Sequence, residues 1–261
     1  MMGRILAIAA IEMRIALRNR WVAIAVAMMV LFSLVLSAAG SAPTGALGTD
    51  RLSVIVASLT SLAVYLVPLV ALLMSFDAIA GEIERGTLPL LLTYPVTRTQ
   101  IVLGKAAAHL AVLAMALAAG YGVAAIAAVA TDRTALNGLP SLWRLFWSSL
   151  PLGAAFLCAG YTLSALARRP SGAAGLAIGL WLIAVVLWDL ALLAAVVADD
   201  GGRFTTSFLP AALLTNPADA FRLYNLSASQ ATAAAAGLAG AANAIPPLAA
   251  LTSVLVWPLC G

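Results

Sequence analysis

The chain has little charge. Only 9% of its residues are Asp, Glu, Lys or Arg, against roughly 25% in soluble domains, which excludes a water-facing globular protein. Histidine is nearly absent, with His109 alone, and the two cysteines, Cys158 and Cys260, lie far apart in apolar stretches. That excludes a disulfide framework and a clustered His/Cys metal motif, and leaves two buried free thiols. No G-x-x-x-x-G-K-[ST] phosphate loop occurs, since Gly104-Lys105 lacks the upstream glycine. No nucleophile–base arrangement, strand-like alternation or long basic run is present either. Catalysis, a β-barrel and nucleic-acid binding all lose their sequence support.

Hydrocarbon takes the place of charge. Of 261 residues 64% are hydrophobic, with a mean hydropathy of +1.06. Lipid offers no hydrogen-bond partners, so apolar runs of about 18 or more residues must be helical spans. The sequence predicts an all-α polytopic membrane protein: one permease domain over 1–261, with an N-terminal amphipathic interfacial helix and six transmembrane helices. Residues 4–20 form the interfacial helix, with Arg4, Arg14 and Arg18 on one face, aimed at anionic headgroups. The basic residues ahead of the first apolar run, with no small-residue cleavage site after it, argue against a cleaved signal. Spans are expected near 21–39, 52–76, 101–130, 142–167, 172–198 and 245–261. The sixth is short or truncated, truncation being preferred, unless it extends upstream through 231–245.

Orientation follows the basic residues. With the N-terminus inside, Arg4, Arg14, Arg18, Arg20, Arg85, Arg98, Lys105, Arg168 and Arg169 are cytoplasmic. Arg51, Arg133, Arg144, Arg203 and Arg222 then lie outside. The longest soluble element becomes the outer loop 199–244. Within it Asn216 suits a helix cap, Pro217 the first helical position and Asp219 the favoured N-terminal end. Phe221, Arg222, Leu223 and Tyr224 form a surface for an outer partner or for the protein's own outer face; both remain open here.

The densest chemistry is DAIAGEIERGTLPLLLTYPVTRTQIVLGK, residues 77–105, which holds Asp77, Glu82, Glu84, Arg85, Arg98 and Lys105. Gly81 and Gly86 bracket Glu82, Ile83, Glu84 and Arg85. Gly86 turns the chain, Pro89 interrupts a longer helix, and Leu88, Leu90, Leu91 and Leu92 form an apolar ridge. Thr97 and Gln100 form a capping-box pattern for the third span. Glu82 and Glu84 point in different directions on a helix and have no histidine or metal partner, so they do not read as a catalytic pair. The segment reads as a two-turn docking unit with an acidic tip facing the cytoplasm.

AGEIERGTLPLLLTYPVTRTQIVLGK resembles the cytoplasmic coupling segment of type-2 ABC exporter permeases: an acidic–Gly-Thr-Leu stretch, then Pro-x-x-Arg and Gly-Lys. The basic interfacial helix and six-span layout fit the same family. SFDAIAGEIERGTL, LLLTYPVTR, LWDLALLA and LTNPADAFRLYNLS are more similar still to the branch serving copper-site maturation of nitrous oxide reductase. Departures are Pro89, which bears on the length of the coupling helix, and the short sixth span. The resemblance implies a homodimer in the bacterial inner membrane, docking a separate cytoplasmic ATPase through Glu82, Ile83, Glu84, Arg85, Gly86, Thr87 and Leu88. ATP and Mg would sit on that ATPase, this chain binding no cofactor and catalysing nothing. A periplasmic strand-repeat accessory protein would receive the motion.

Two polar residues lie within the spans. Asp189, costly in lipid, is expected either to pair with Arg144 or a second protomer, to sit near the outer headgroups, or to serve transport. His109 is expected to make an interhelical hydrogen bond rather than to bind metal. Met28, Met29, Met74, Met115 and Cys158 are the soft atoms that copper(I) prefers, yet they trace no path across the membrane. A permease that passes force fits better than a copper channel. Gly175 and Gly179 form a G-x-x-x-G that permits close helix approach. Alternative readings are a generic exporter of lipid, glycan or drug, and a secondary transporter, for which only Asp189 speaks.

Overall fold

The computed structural model describes residues 2–39, 51–91, 93–167, 169–227 and 246–260. Leu92, Arg168 and the outer loop beyond Ser227 lie outside the described residues. Helices α1 (Met2–Leu17) and α2 (Arg20–Ala39) are separated by a sharp bend. They are followed by α3 (Arg51–Ser75), the short α4 (Ala80–Glu84) and α5 (Thr87–Leu91), α6 (Arg98–Thr131) and α7 (Leu139–Leu166). A long fifth rod joins α8 (Pro170–Trp181), a π-helical segment Leu182–Leu187 and α9 (Trp188–Asp199). Helices α10 (Leu209–Thr215), α11 (Pro217–Leu226) and α12 (Pro247–Cys260) complete the described chain. Among the described residues there is no strand.

Four stretches are long and apolar enough to cross a membrane: Leu52–Glu84, Arg98–Thr131, Arg133–Leu166 and Pro170–Asp199. The bent α1–α2 pair makes up to five. The sequence predicts six. The difference is α12, whose 14 residues give about 21 Å of helix against a hydrocarbon layer of about 30 Å.

Helix α3 is central. Leu52, Ile55, Leu59, Ala63, Val67 and Val70 are all at most 5% exposed, and their spacing of three and four residues draws one buried stripe. That stripe packs chiefly on α7, with α2 and α6 alongside. Leu113 and Leu117 of α6 and Leu145 and Leu152 of α7 join the same core. Lipid tails are as apolar as leucine, so close packing rather than water exclusion holds such helices together. Where α1 lies along α6 the approach is tight enough to require glycine: a Cβ on Gly104 would sit 2.7 Å from Ile8 Cγ2.

The fifth rod behaves differently. Ile178, Ile183, Leu190, Leu193 and Val197 are each more than half exposed, and little of the rod is covered by the rest of the chain. Gly172, Gly175 and Gly179 have open space where a Cβ would be.

Candidate functional site

Two clusters sit on α7, one near each end. Ser164 supports α4, and Ser148, 16 residues earlier, supports α11. At 1.5 Å per residue they are about 24 Å apart along the helix.

At the first cluster the chain leaves α3 at Ser75 and turns into α4. Ile79 provides no side-chain cap. Instead the Ser164 hydroxyl of α7 accepts hydrogen bonds from Ile79 N–H and Ala80 N–H, each at 3.0 Å. This satisfies two of the orphan donors of a helix start from outside the segment. Gly86 ends the turn at φ +69°, a left-handed conformation natural to glycine. Its N–H is donated to Ile83 O at 3.1 Å, and the Thr87 hydroxyl is donated to Glu82 O at 3.3 Å. The Thr97–Gln100 capping box forms as the sequence predicts.

The two glutamates divide. Glu84 is exposed, together with Ile83, Arg85, Gly86 and Thr87, while Leu88 is half-buried. Glu82 turns inward instead of joining the acidic tip, and Lys105 Nζ of α6 donates to its Oε1 at 2.7 Å. Lys105 also donates to Glu12 Oε1 of α1. Lys105 is 3% exposed, and it ties α1, α4 and α6 together. Arg4 adds a second tie, from α1 to the Pro95 carbonyl. A cavity of about 190 Å³ lies beside the trio, lined by Glu12, Asp77, Glu82, Arg85, Lys105 and His109 among others. On its rim Arg85 and Asp77 make an exposed ion pair at 3.3 Å. His109, one turn along α6, lies with Nδ1 2.6 Å from the Tyr161 hydroxyl of α7.

At the second cluster α11 starts as the sequence predicts: Asn216 accepts from Ala218 N–H at 2.9 Å and Pro217 takes the first position. The Asn216 amide also donates to Ala184 O of the π segment at 2.5 Å. Phe221 and Leu223 are 0% and 2% exposed, and Tyr224 lies under the Arg144 guanidinium, 3.9 Å from its ring centroid. The sequence left open whether Phe221, Arg222, Leu223 and Tyr224 face an outer partner or the protein's own outer face; in the fold Phe221 and Leu223 are buried and Arg222 and Tyr224 half-buried. Helix α11 folds back against α3, α7 and α12, so its apolar side is covered by the chain itself.

Asp189, for which the sequence offered Arg144 among several settings, pairs with Arg222. Arg144 is held by Tyr224 O and by Ser227 Oγ. Arg222 grips Asp189 as a fork, at 3.2 Å from NH1 to Oδ1 and 2.9 Å from NH2 to Oδ2. The Tyr65 hydroxyl of α3 adds a third bond at 3.3 Å. Arg222 NH1 also lies 3.5 Å from Asp219 Oδ1. Burial, with Asp189 beside it, pushes the Asp219 carboxyl up to about 7, and Arg222 opposes the rise.

Of the soft atoms, Met29 and Met74 are buried while Met28 and Met115 face outward. Among the described residues no group of three His, Cys, Asp or Glu converges. Sequence reasoning missed Lys105 and Glu12 as an ion pair. The available signal was that Glu12 is the sole acid before Asp50, set in a basic helix.

A bundle of membrane-spanning helices with a short helix presented at one end, on a capped and ion-paired platform, is the layout of a multi-pass membrane protein. The chain belongs to the ABC-2 family of transporter proteins, whose model matches residues 6–260. It is 45% identical over 237 residues to a probable ABC transporter permease protein NosY from Pseudomonas aeruginosa, covering 90% of this chain and 86% of that protein. It is 40% identical over 265 residues to the protein of the same description from Stutzerimonas stutzeri, covering 98% and 94%. It is a multi-pass membrane protein and the permease of an ABC transporter.

Proposed function

We propose that this chain is a NosY-type permease that couples ATP hydrolysis by a separate cytoplasmic ATPase to a periplasmic partner in copper-site maturation of nitrous oxide reductase. The observation that carries the coupling reading is the presented surface of α4 and the turn after it: Ile83 and Glu84 on α4, Arg85 and Gly86 in the turn and Thr87 at the start of α5 are all exposed, while the start of α4 is capped by α7 and its inner face is fixed by Lys105. ATPase closure would press on this face, and Ser164 and Lys105 would carry the push into α7, α6 and α1. Glu82 serves this joint from the inside and Leu88 from its flank. The nucleotide and its metal belong to the ATPase.

The excess of basic residues beside α1 and α4 supports an N-terminus in the cytoplasm and an inner-membrane location. The uncovered fifth rod, with Gly172, Gly175 and Gly179 open on it, supports a second copy of the chain packed there. The periplasmic partner would be a strand-repeat accessory protein contacting the end of the bundle that bears α11. The scattered soft atoms support a permease that transmits force while copper is handled by other proteins.

The test is to purify the complex with its ATPase carrying Glu84→Lys or Ile83→Asp. We expect at least a tenfold weaker association and loss of permease-stimulated ATP hydrolysis, with the chain itself still folded. Unchanged association and stimulation in both variants would overturn the docking claim.

A further inference from the structure

Around Arg222 the structure holds two carboxylates against one guanidinium. Asp219 is 2% exposed, and the side chains of Asp189 and Arg222 are 24% and 18% exposed. With both acids ionised this cluster would carry an uncompensated negative charge in a low-dielectric setting, which proteins avoid by retaining a proton. The hydrogen bonds are unequal. Asp189 receives both arms of the Arg222 fork and the Tyr65 hydroxyl. Asp219 has only the long 3.5 Å approach of Arg222 NH1, and its Oδ2 is buried without a hydrogen-bond partner. The Trp188 indole N–H faces Asp219 but falls short of hydrogen-bond geometry.

Among the described side chains, no other charge balances the pair from the elements packed on α11. Helix α3 contributes Tyr65, and α9 contributes Asp189 itself. The ionisable group of α7 at this end, Arg144, is engaged by Tyr224 and Ser227. Helices α10 and α12 bring no Asp, Glu, His, Lys or Arg. Asp189 is served by three donors and the buried Asp219 Oδ2 by none, so the proton belongs on Asp219.

We propose that Asp189 and Asp219 form a proton-holding pair that latches α11 to the fifth rod. The latch is closed while Asp219 carries the proton and loosened when it is lost. Helix α11 begins at Asn216, which is tied to Ala184 in the π segment. A charge change at Asp219 therefore acts directly on the junction between α11 and the π-helical break. This device goes beyond the coupling role and does not depend on the ATPase.

The experiment uses the full chain reconstituted in lipid nanodiscs, titrated from about pH 5 to about pH 9. One readout is the infrared carbonyl stretch of a protonated carboxylic acid. The other is hydrogen exchange of the α11 amides, corrected for intrinsic rates. We expect the wild type to lose a protonated-carboxyl band with a midpoint near neutrality, while α11 exchange rises severalfold over the same range. Asp219→Asn, isosteric with the protonated acid, should lack the band and keep α11 protected at both ends. Asp189→Asn frees Arg222 for Asp219 and should move the band's loss to more acidic pH. A wild-type titration that leaves the band and α11 exchange unchanged, or a band that persists in Asp219→Asn, would overturn the proposal.

Discussion

The two ends of the bundle carry the same inventory, two carboxylates and one cation, in opposite arrangements. At the α4 end Lys105 sits between Glu12 and Glu82 and gives each a hydrogen bond. At the α11 end Arg222 commits its fork to Asp189 and leaves Asp219 poorly served. The chemistry of the cations explains the difference. An ammonium is a compact point charge with three donors that can be divided among acceptors from different helices. A guanidinium is a planar fork matched to one carboxylate. The lysine therefore makes a strut between α1, α4 and α6, whereas the arginine makes one firm pair and one acid left to hold a proton.

The largest effect should come from breaking the strut. Lys105→Met leaves the buried Glu82 and the half-buried Glu12 without their cation, and losing one partner of a buried ion pair costs about 3–5 kcal/mol. The expected outcome is a strongly lowered thermal midpoint in detergent, with Glu12→Gln and Glu82→Gln each milder because Lys105 keeps one acid. A Lys105→Met midpoint no lower than that of Glu12→Gln would mean that the trio is not held as described.

Arg222→Lys tests the fork. Lysine keeps the charge but loses the bidentate geometry, at about 1–3 kcal/mol for a charge-assisted hydrogen bond left unmade. The reciprocal Lys105→Arg should be the worse tolerated of the two conservative changes if sharing across helices is what the α4 end requires. Equal midpoints for the two exchanges would erase the distinction between the clusters.

What the sequence could and could not reveal follows the same division. Capping by Thr97 and Gln100, the Asn216–Pro217 start of α11 and the turn at Gly86 depend on residues one to three apart, and the structure has each. Tertiary pairing was illegible. Glu12 and Lys105 are 93 residues apart, and Asp189 and Arg222 are 33 apart. In a chain whose core and lipid-facing sides are both apolar, periodicity does not distinguish the buried face of a helix from its lipid face. Helix α4 is too short, at 5 residues, for a pattern to say which glutamate turns inward. Helix α11 is amphipathic, but its apolar residues meet the chain's own α3, α7 and α12, a choice only the fold makes.

The smallest change sharpens the comparison most finely. Tyr65→Phe removes one hydrogen bond of 3.3 Å from Asp189, worth about 0.5–1.5 kcal/mol, and leaves Arg222 and both acids in place. The sign of its pH effect follows from linkage. Asp219 is raised from 3.8 to about 7, so between those values the native state binds a proton that the unfolded chain has released. Stability from this group is full below the unfolded value and is lost as pH rises through the folded one. Without Tyr65 the pair has one hydrogen-bond donor fewer for its negative charge and holds its shared proton more tightly. The carboxyl titration should then move to higher pH, and the alkaline loss of stability should begin later than in the wild type. A shift in the acidic direction would show that Tyr65 does not act on the pair through Asp189.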